Sequence, residues 1–322
     1  MAVERVSRRI PVAEDGLTGR ELGFDCHEQR SGRDGPTVVV LGGVHGDEPE
    51  GVLAAGRLCA GPLPLPLRRG MLRVVPVCNE EAVAASSRVT PTDGGNLARS
   101  FPGDPAGALT DRLAAVLTKQ VLADADLLID LHTAGRRYDM PPLVGSLDDG
   151  SSAAKASRAA ALAFGLGTVW LHRRYSPGRS LSVLAARGRP AIYAECPGGE
   201  AVDPRWVDAY VLGVRRVLAA LELADPPAAP PPATRHFVSG GGDLDSDVLR
   251  FGAGGLFVAT VAAGETVEAA QPLGRVLDVT GRCRQEIRSP AAGRVMFLRR
   301  AALVRAGDVA ACLAVDVPPP GV

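Results

Sequence analysis

The sequence predicts an α/β protein: a mostly parallel mixed sheet flanked by helices, followed by a small C-terminal all-β barrel or sandwich domain. Three observations predict it. In the first two thirds, apolar runs of strand length alternate with alanine- and leucine-rich stretches of helical length, the rhythm of a sheet covered by helices. A proline-rich stretch, ADPPAAPPPATR at 224–235, then forbids helix and sheet and reads as a stiff, extended spacer. Beyond it the chain changes to short β segments punctuated by glycine, as in a compact barrel or sandwich. The expected boundaries are a large domain at 1–225, a linker at 226–234 and a β cap at 235–322.

TVVVLGG at 37–43 is a continuous apolar run ending in glycines, as expected of a strand buried on both faces. EGVLAAGRLCA follows as a helix, and MLRVVPV at 71–77 is the next strand. GALTDRLAAVLTKQVLA reads as a helix, ADLLIDLHT at 125–133 as a strand, and SSAAKASRAAALAFG again as a helix. PAIYAE at 190–195 is a further strand, and PRWVDAYVLGVRRVLAALEL a long amphipathic helix. No solenoid-type repeat occurs.

Composition excludes several classes. The 322 residues suffice for one large and one smaller domain. The 36 basic and 36 acidic residues cancel without long runs of either sign, so no field favours nucleic acid or a charged membrane surface. No stretch approaches the roughly 20 apolar residues of a membrane span, and MAVERVSRRI lacks the apolar core of a signal peptide. The six cysteines are scattered singly, as reduced, mostly buried thiols are. A soluble cytoplasmic protein is expected, with a small-molecule substrate and neither nucleic acid nor membrane as partner.

The chemistry starts at GGVHGDEPEG, where His45 and Glu48 stand three apart in a glycine-rich turn after a buried strand. Histidine and carboxylate are good zinc ligands, and this spacing lets both reach one ion. In DLHTAG, His132 ends a strand and Asp130 stands two positions earlier, on the same face, where it can orient the imidazole. In AIYAECPGG, Glu195 terminates another apolar strand, a costly place for a carboxylate without a partner or a task. All four fall at the carboxyl ends of expected parallel strands, the edge at which open α/β sheets bind ligands. Two histidines and a glutamate leave zinc an open position for water, and Glu195 would be the general base. The loop SSRVTPTDGGNLARSFPGD adds Arg88 and Arg99 on the same edge. Fixed guanidinium groups suit a developing oxyanion or a substrate carboxylate.

GGVHGDEPEG, RVTPTDGGNLARSFPG, DLHTAG and AIYAECPGG, in this order and spacing, resemble the succinylglutamate desuccinylase/aspartoacylase family, whose fold is similar to that of the zinc carboxypeptidases. The resemblance runs to about residue 225, and the β module also looks like that family's C-terminal domain. It implies one zinc ion per chain held by His45, Glu48 and His132, with Glu195 as catalytic acid/base. Arg88 matches the arginine that polarises the scissile carbonyl, and Arg99 the one that anchors a substrate carboxylate. The family commonly reads NLNR where this chain reads NLAR. Ala98 thereby forgoes hydrogen bonds worth roughly 1–3 kcal/mol together, which bears on the substrate and not on the metal. Asn96 and Asp93 match the motif too, as loop-shaping residues, with Asn96 also a substrate-side candidate. Arg179, in SPGRSLSVLAARG, is a further substrate-binding candidate.

The C-terminal pattern also resembles biotinyl and lipoyl carrier domains, which bear their cofactor on a lysine. The chain's only lysines are Lys119 and Lys155, so the module cannot carry such a group. It reads as a cap that narrows the active-site mouth or as an oligomer contact, which leaves a homo-oligomer open. The expected activity is zinc-dependent hydrolysis of the amide of a small N-acyl amino acid or N-acyl amine. The alternatives are a zinc carboxypeptidase-type peptide hydrolase and a non-catalytic sensor that keeps the metal site; an ester or thioester hydrolase would share the mechanism.

Overall fold

The computed structural model describes residues 3–14, 21–60, 66–242, 246 and 248–319. The N-terminal part runs β1 (Glu4–Glu14), β2 (Glu21–Arg30), β3 (Thr37–Leu41), α1 (Pro49–Ala60), β4 (Met71–Val75), α2 (Glu80–Ala84), α3 (Leu109–Gln120), β5 (Leu127–Leu131) and β6 (Tyr138–Asp139). It continues through β7 (Leu143–Leu147), α4 (Ser152–Phe164), β8 (Thr168–His172), α5 (Ser180–Ala185), β9 (Ala191–Glu195) and α6 (Pro204–Ala220). The C-terminal part holds β10 (His236–Ser239), β11 (Leu249–Arg250), β12 (Gly255–Ala259), β13 (Thr266–Val267), β14 (Pro272–Leu277), β15 (Cys283–Arg288), β16 (Gly293–Arg299), β17 (Leu303–Val304) and β18 (Val309–Val317).

The main sheet has the order β1-β2-β4-β3-β5-β9-β7-β8-β10-β18-β16-β13. β4, β3, β5 and β9 run parallel to one another, β7 lies antiparallel to β9, and β7, β8 and β10 again run parallel. This central section, from β4 to β10, is the expected mixed, mostly parallel sheet. Its strands are buried on both faces by a period of two. Val38 and Val40 of β3 pack with Ala54, Leu58, Phe164, Tyr210 and Val217 of α1, α4 and α6. Val39 and Leu41 face the opposite side, with Leu113 and Leu117 of α3 and Leu184 of α5.

The proline-rich stretch does not interrupt this sheet. β10, directly after it, returns alongside β8 with Phe237 opposite Val169, and β18 then adds to β10. The expected all-β module is present as a four-stranded antiparallel sheet, β15-β14-β12-β17, facing the far end of the main sheet. Phe251, Phe257, Leu273, Val276, Ile287 and Val295 form the core between them.

Candidate metal centre and active site

Strand geometry assembles the site. β3 ends at Leu41, and the turn after it carries His45 and Glu48 onto the N-terminus of α1; β5 ends one residue before His132; β9 ends on Glu195. The turn is fixed by backbone contact. Gly46 donates its N–H to the Ser87 carbonyl at 2.8 Å, and a Cβ there would lie 1.8 Å from the Ala82 carbonyl oxygen. Only glycine lets α2 come this close.

Glu48 lies at the centre of the cluster and is 2% exposed. Its Oε1 is 2.8 Å from His45 Nδ1 and its Oε2 is 2.8 Å from His132 Nδ1. Arg88 Nη1 donates to Oε1 at 2.9 Å and the Thr133 N–H to Oε2 at 3.1 Å. The imidazole centroids are 5.1 Å apart, and one ligand atom from each of His45, Glu48 and His132 falls within 4.8 Å of the others. The far nitrogens are held as well. His45 Nε2 lies 3.0 Å from Asn96 Oδ1, and His132 Nε2 lies 3.2 Å from Asp130 Oδ1. Asp130 in turn accepts from the Ser180 hydroxyl, and Tyr210 donates to the His132 carbonyl at 2.5 Å. Such outer partners fix the tautomer of a ligating histidine, leaving Nδ1 for an ion.

The electrostatics mark a cation site. Burial lowers the pKa of His45, and the Arg88 charge adds to that. Burial acts the same way on His132, but Asp130 and Glu48 outweigh it and hold its pKa well above the usual histidine range. Burial alone would raise Glu48, yet the two imidazoles bring it well below the carboxylate range. Two imidazole nitrogens and a carboxylate oxygen, from His45, His132 and Glu48, form a donor set that fits zinc.

Glu195 is of the opposite kind. Burial raises its pKa well above the carboxylate range, with Glu48 and Asp130 adding to the effect against His132 and Arg88. Its Oε2 has no hydrogen-bond partner among the described residues. With His45, His132 and Arg88 it lines a cavity of about 380 Å³.

The remaining sequence candidates divide. Arg99 and Arg179 both line the cavity, and their loops are stitched together where the Phe101 N–H donates to the Gly178 carbonyl at 3.0 Å. Ala98 lines it too. Asn96 instead turns its side chain to His45 and caps the short 3₁₀ turn Leu97–Arg99 through the Ala98 N–H at 3.0 Å. Asp93 braces the same loop, accepting from the Thr110 N–H at 2.7 Å. The sequence reading did not single out His172, Tyr175, Tyr193 or Phe297, all of which line the cavity. Tyr193 was within reach, standing two residues before Glu195 on one strand face. His172 ends an apolar strand as His132 follows one, but TVWLH had not been recognised as a strand.

A sheet covered by helices on both faces, with a buried His–Glu–His cluster beside a buried carboxylate at its strand ends, is the arrangement of a hydrolase of the amide-cleaving type. Residues 34–221 match the succinylglutamate desuccinylase/aspartoacylase catalytic domain, and the chain belongs to that family. It is 31% identical to the N-alpha-acetyl-L-2,4-diaminobutyric acid deacetylase of Halomonas elongata, over 95% of this chain and 90% of that one. Among solved structures it is similar to the product-bound ectoine utilization protein EutE (DoeB) from Ruegeria pomeroyi, with a TM-score of 0.87, 27% identity and 97% and 95% of the two chains covered. A succinylglutamate desuccinylase/aspartoacylase from Rhodobacter sphaeroides gives a TM-score of 0.86 at 26% identity, covering 98% and 96%.

Proposed function

We propose that this chain is a zinc-dependent deacylase of small N-acyl amino acids, with an Nα-acetyl diamino acid as the substrate class. The observation that carries this is the meeting of one ligand atom each from His45, Glu48 and His132 within 4.8 Å of one another, beside the cavity that Glu195 also lines. The substrate class is supported by the 31% identity to the Halomonas enzyme across nearly the whole chain. A cavity of about 380 Å³ lies at the small end of ligand sites. Phe297 and the Ser239–Gly242 segment form part of its wall, and its size suits a short substrate better than a peptide. Six free cysteines accord with the reducing cytoplasm as the compartment.

His45 and His132 through Nδ1, together with Glu48, would hold the zinc. When bound, it would supply Lewis acidity, polarising the amide carbonyl and acidifying water. Glu195 takes a proton from the attacking water and delivers it to the leaving nitrogen, so that a carboxylate and an amine are released. Its buried, water-poor surroundings suit it to carry that proton between the two steps. Arg88, held by Glu48, donates to the oxygen on which negative charge develops. Arg99 and Arg179 bind the carboxylate of the amino acid. Asn96 and Asp130 act through the imidazoles they orient.

The test is acetate release by the zinc-loaded protein from Nα-acetyl amino acids, measured against residue release from dipeptides. Glu195→Gln should keep its zinc and lose about 10²–10⁴-fold in kcat. Wild-type turnover in that variant, or faster cleavage of dipeptides than of acetylated amino acids, would sink the reading.

A further inference from the structure

The cavity runs across the strand ends from the metal ligands toward the C-terminal part of the chain. The sheet order places His132 after β5, Glu195 and Tyr193 on β9, and His172 at the end of β8. β9, which carries Tyr193, is next to β5 in that order, about 5 Å at ordinary strand spacing. A short substrate with its scissile amide at His45 and His132 can therefore reach Tyr193 with its other end.

That far end is built, and two side chains have been removed to build it. Gly145 of β7 sits opposite Tyr193 in the ladder, and a Cβ there would fall 1.8 Å from the Tyr193 ring at Cε1. Gly242 lies over His172, where a Cβ would come within 2.7 Å of Cε1. The space so cleared lets the rings of His172 and Tyr193 stack, with centroids 5.7 Å apart and planes at 30°. His172 Nε2 and the Tyr193 hydroxyl are 2.8 Å apart, and the Trp170 and His172 ring centroids are 5.3 Å apart. Both His172 and Tyr193 line the cavity.

We propose that Tyr193, positioned by His172, is a specificity-determining residue that binds a second amino group on the amine half of the substrate. This rests on the deacylase reading above. Burial, and the Glu195 charge after it, raise the Tyr193 pKa well above the usual phenol range, so the phenol keeps its proton. Hydrogen-bonded to His172 Nε2, the hydroxyl still has a lone pair to accept an ammonium N–H. The wall also carries arginines (Arg99, Arg173, Arg174, Arg179), which take a carboxylate, and the carboxylates Asp130 and Glu195 beside the metal ligands. At the His172 end the uncharged pair offers an ammonium group a hydrogen-bond acceptor.

The experiment compares Nα-acetyl-2,4-diaminobutyrate with Nα-acetyl-2-aminobutyrate, which lacks the second nitrogen, on the zinc-loaded protein. Wild type should prefer the first. In Tyr193→Phe the ratio of the two kcat/KM values should fall about ten- to hundred-fold, as for loss of a hydrogen bond to a charged group. The loss should be carried mainly by KM for the diamino substrate, as for removal of uniform binding. His172→Gln, which keeps a hydrogen-bonding partner for the phenol, should lose less of the ratio; thermal unfolding and zinc content would check that both variants fold. An unchanged ratio in Tyr193→Phe, or a wild type indifferent to the second nitrogen while deacylating both, overturns the assignment and leaves the deacylase reading standing. A wild type that deacylates neither compound, nor any other acetylated amino acid, overturns both.

Discussion

Gly46→Ala tests whether the ligand turn is held by backbone contact with α2. A Cβ at position 46 would stand 1.8 Å from the Ala82 oxygen and 2.0 Å from its carbonyl carbon, whereas real Cβ contacts essentially never fall under 3.0 Å. Either the turn or α2 must therefore retreat by about 1.2 Å. No flexible side chain is available to yield, since the obstacle is main chain. Metal–ligand distances tolerate only about 0.2 Å of error, and position 46 is flanked by His45 and, two residues on, Glu48. A retreat of the turn breaks the ligand geometry; a retreat of α2 strains the Gly46–Ser87 hydrogen bond of 2.8 Å. Overpacking of this kind destabilises by about 1–3 kcal/mol, and misplacing a ligand by about an ångström lowers turnover about 10²-fold. Zinc affinity by competition with a chromophoric chelator, and thermal unfolding of the metal-free protein, separate the two contributions. A variant that binds zinc as tightly as wild type and unfolds within about a degree of it would refute the argument.

Two further outcomes are expected elsewhere. Tyr210→Phe removes the hydroxyl that donates to the His132 carbonyl at 2.5 Å. It should cost about 1–3 kcal/mol of stability by urea titration and weaken zinc binding; unchanged values for both would show that the bond carries nothing. Buried Arg73, 4% exposed, joins Glu28 at 2.7 Å to Asp124 at 2.5 Å. Burial opposes ionisation of Glu28, but its hydrogen bonds to Arg30 and Arg73 prevail and lower its pKa; the Arg73 hydrogen bond likewise lowers Asp124. Their contribution is complete above the unfolded values, about 4.3 and 3.9, and is lost as pH falls through the depressed folded ones. Arg73→Met should therefore lose up to about 3 kcal/mol at pH 7 and progressively less below pH 4. A loss independent of pH would contradict the ion-pair account.

What the sequence made legible follows from how each feature is encoded. Strands buried on both faces are written as uninterrupted apolar runs, so TVVVL, LLIDL and AIYAE were found and, with them, the residues that end or follow them. β1, ERVSRRIPVAE, scatters charged residues among a few apolar ones without regular alternation and does not stand out. β7, LVGSL, is disguised by the very glycine that admits Tyr193. The continuity of the sheet through β10 was hidden because proline density reports local stiffness only. It says nothing of where the chain goes next, and the pairing of His236–Ser239 with Thr168–Leu171 spans nearly 70 residues of sequence.

The same distinction separates chemistry from selectivity in the site. The reacting groups come from short motifs at the ends of β3, β5 and β9, which adjoin in the sheet, so local spacing nearly determines their convergence. The far wall draws on β8, the loop before α5, the glycines after β10, and Phe297 of β16, which meet only through the completed fold. Ala98, on the arginine loop, also lines the cavity and opens space near Arg99. A deacylase of this build would keep one hydrolytic centre while its substrate is set by other side chains that line the cavity. Exchanging Tyr193 or Ala98 should therefore change which amine is accepted before it changes whether zinc is held.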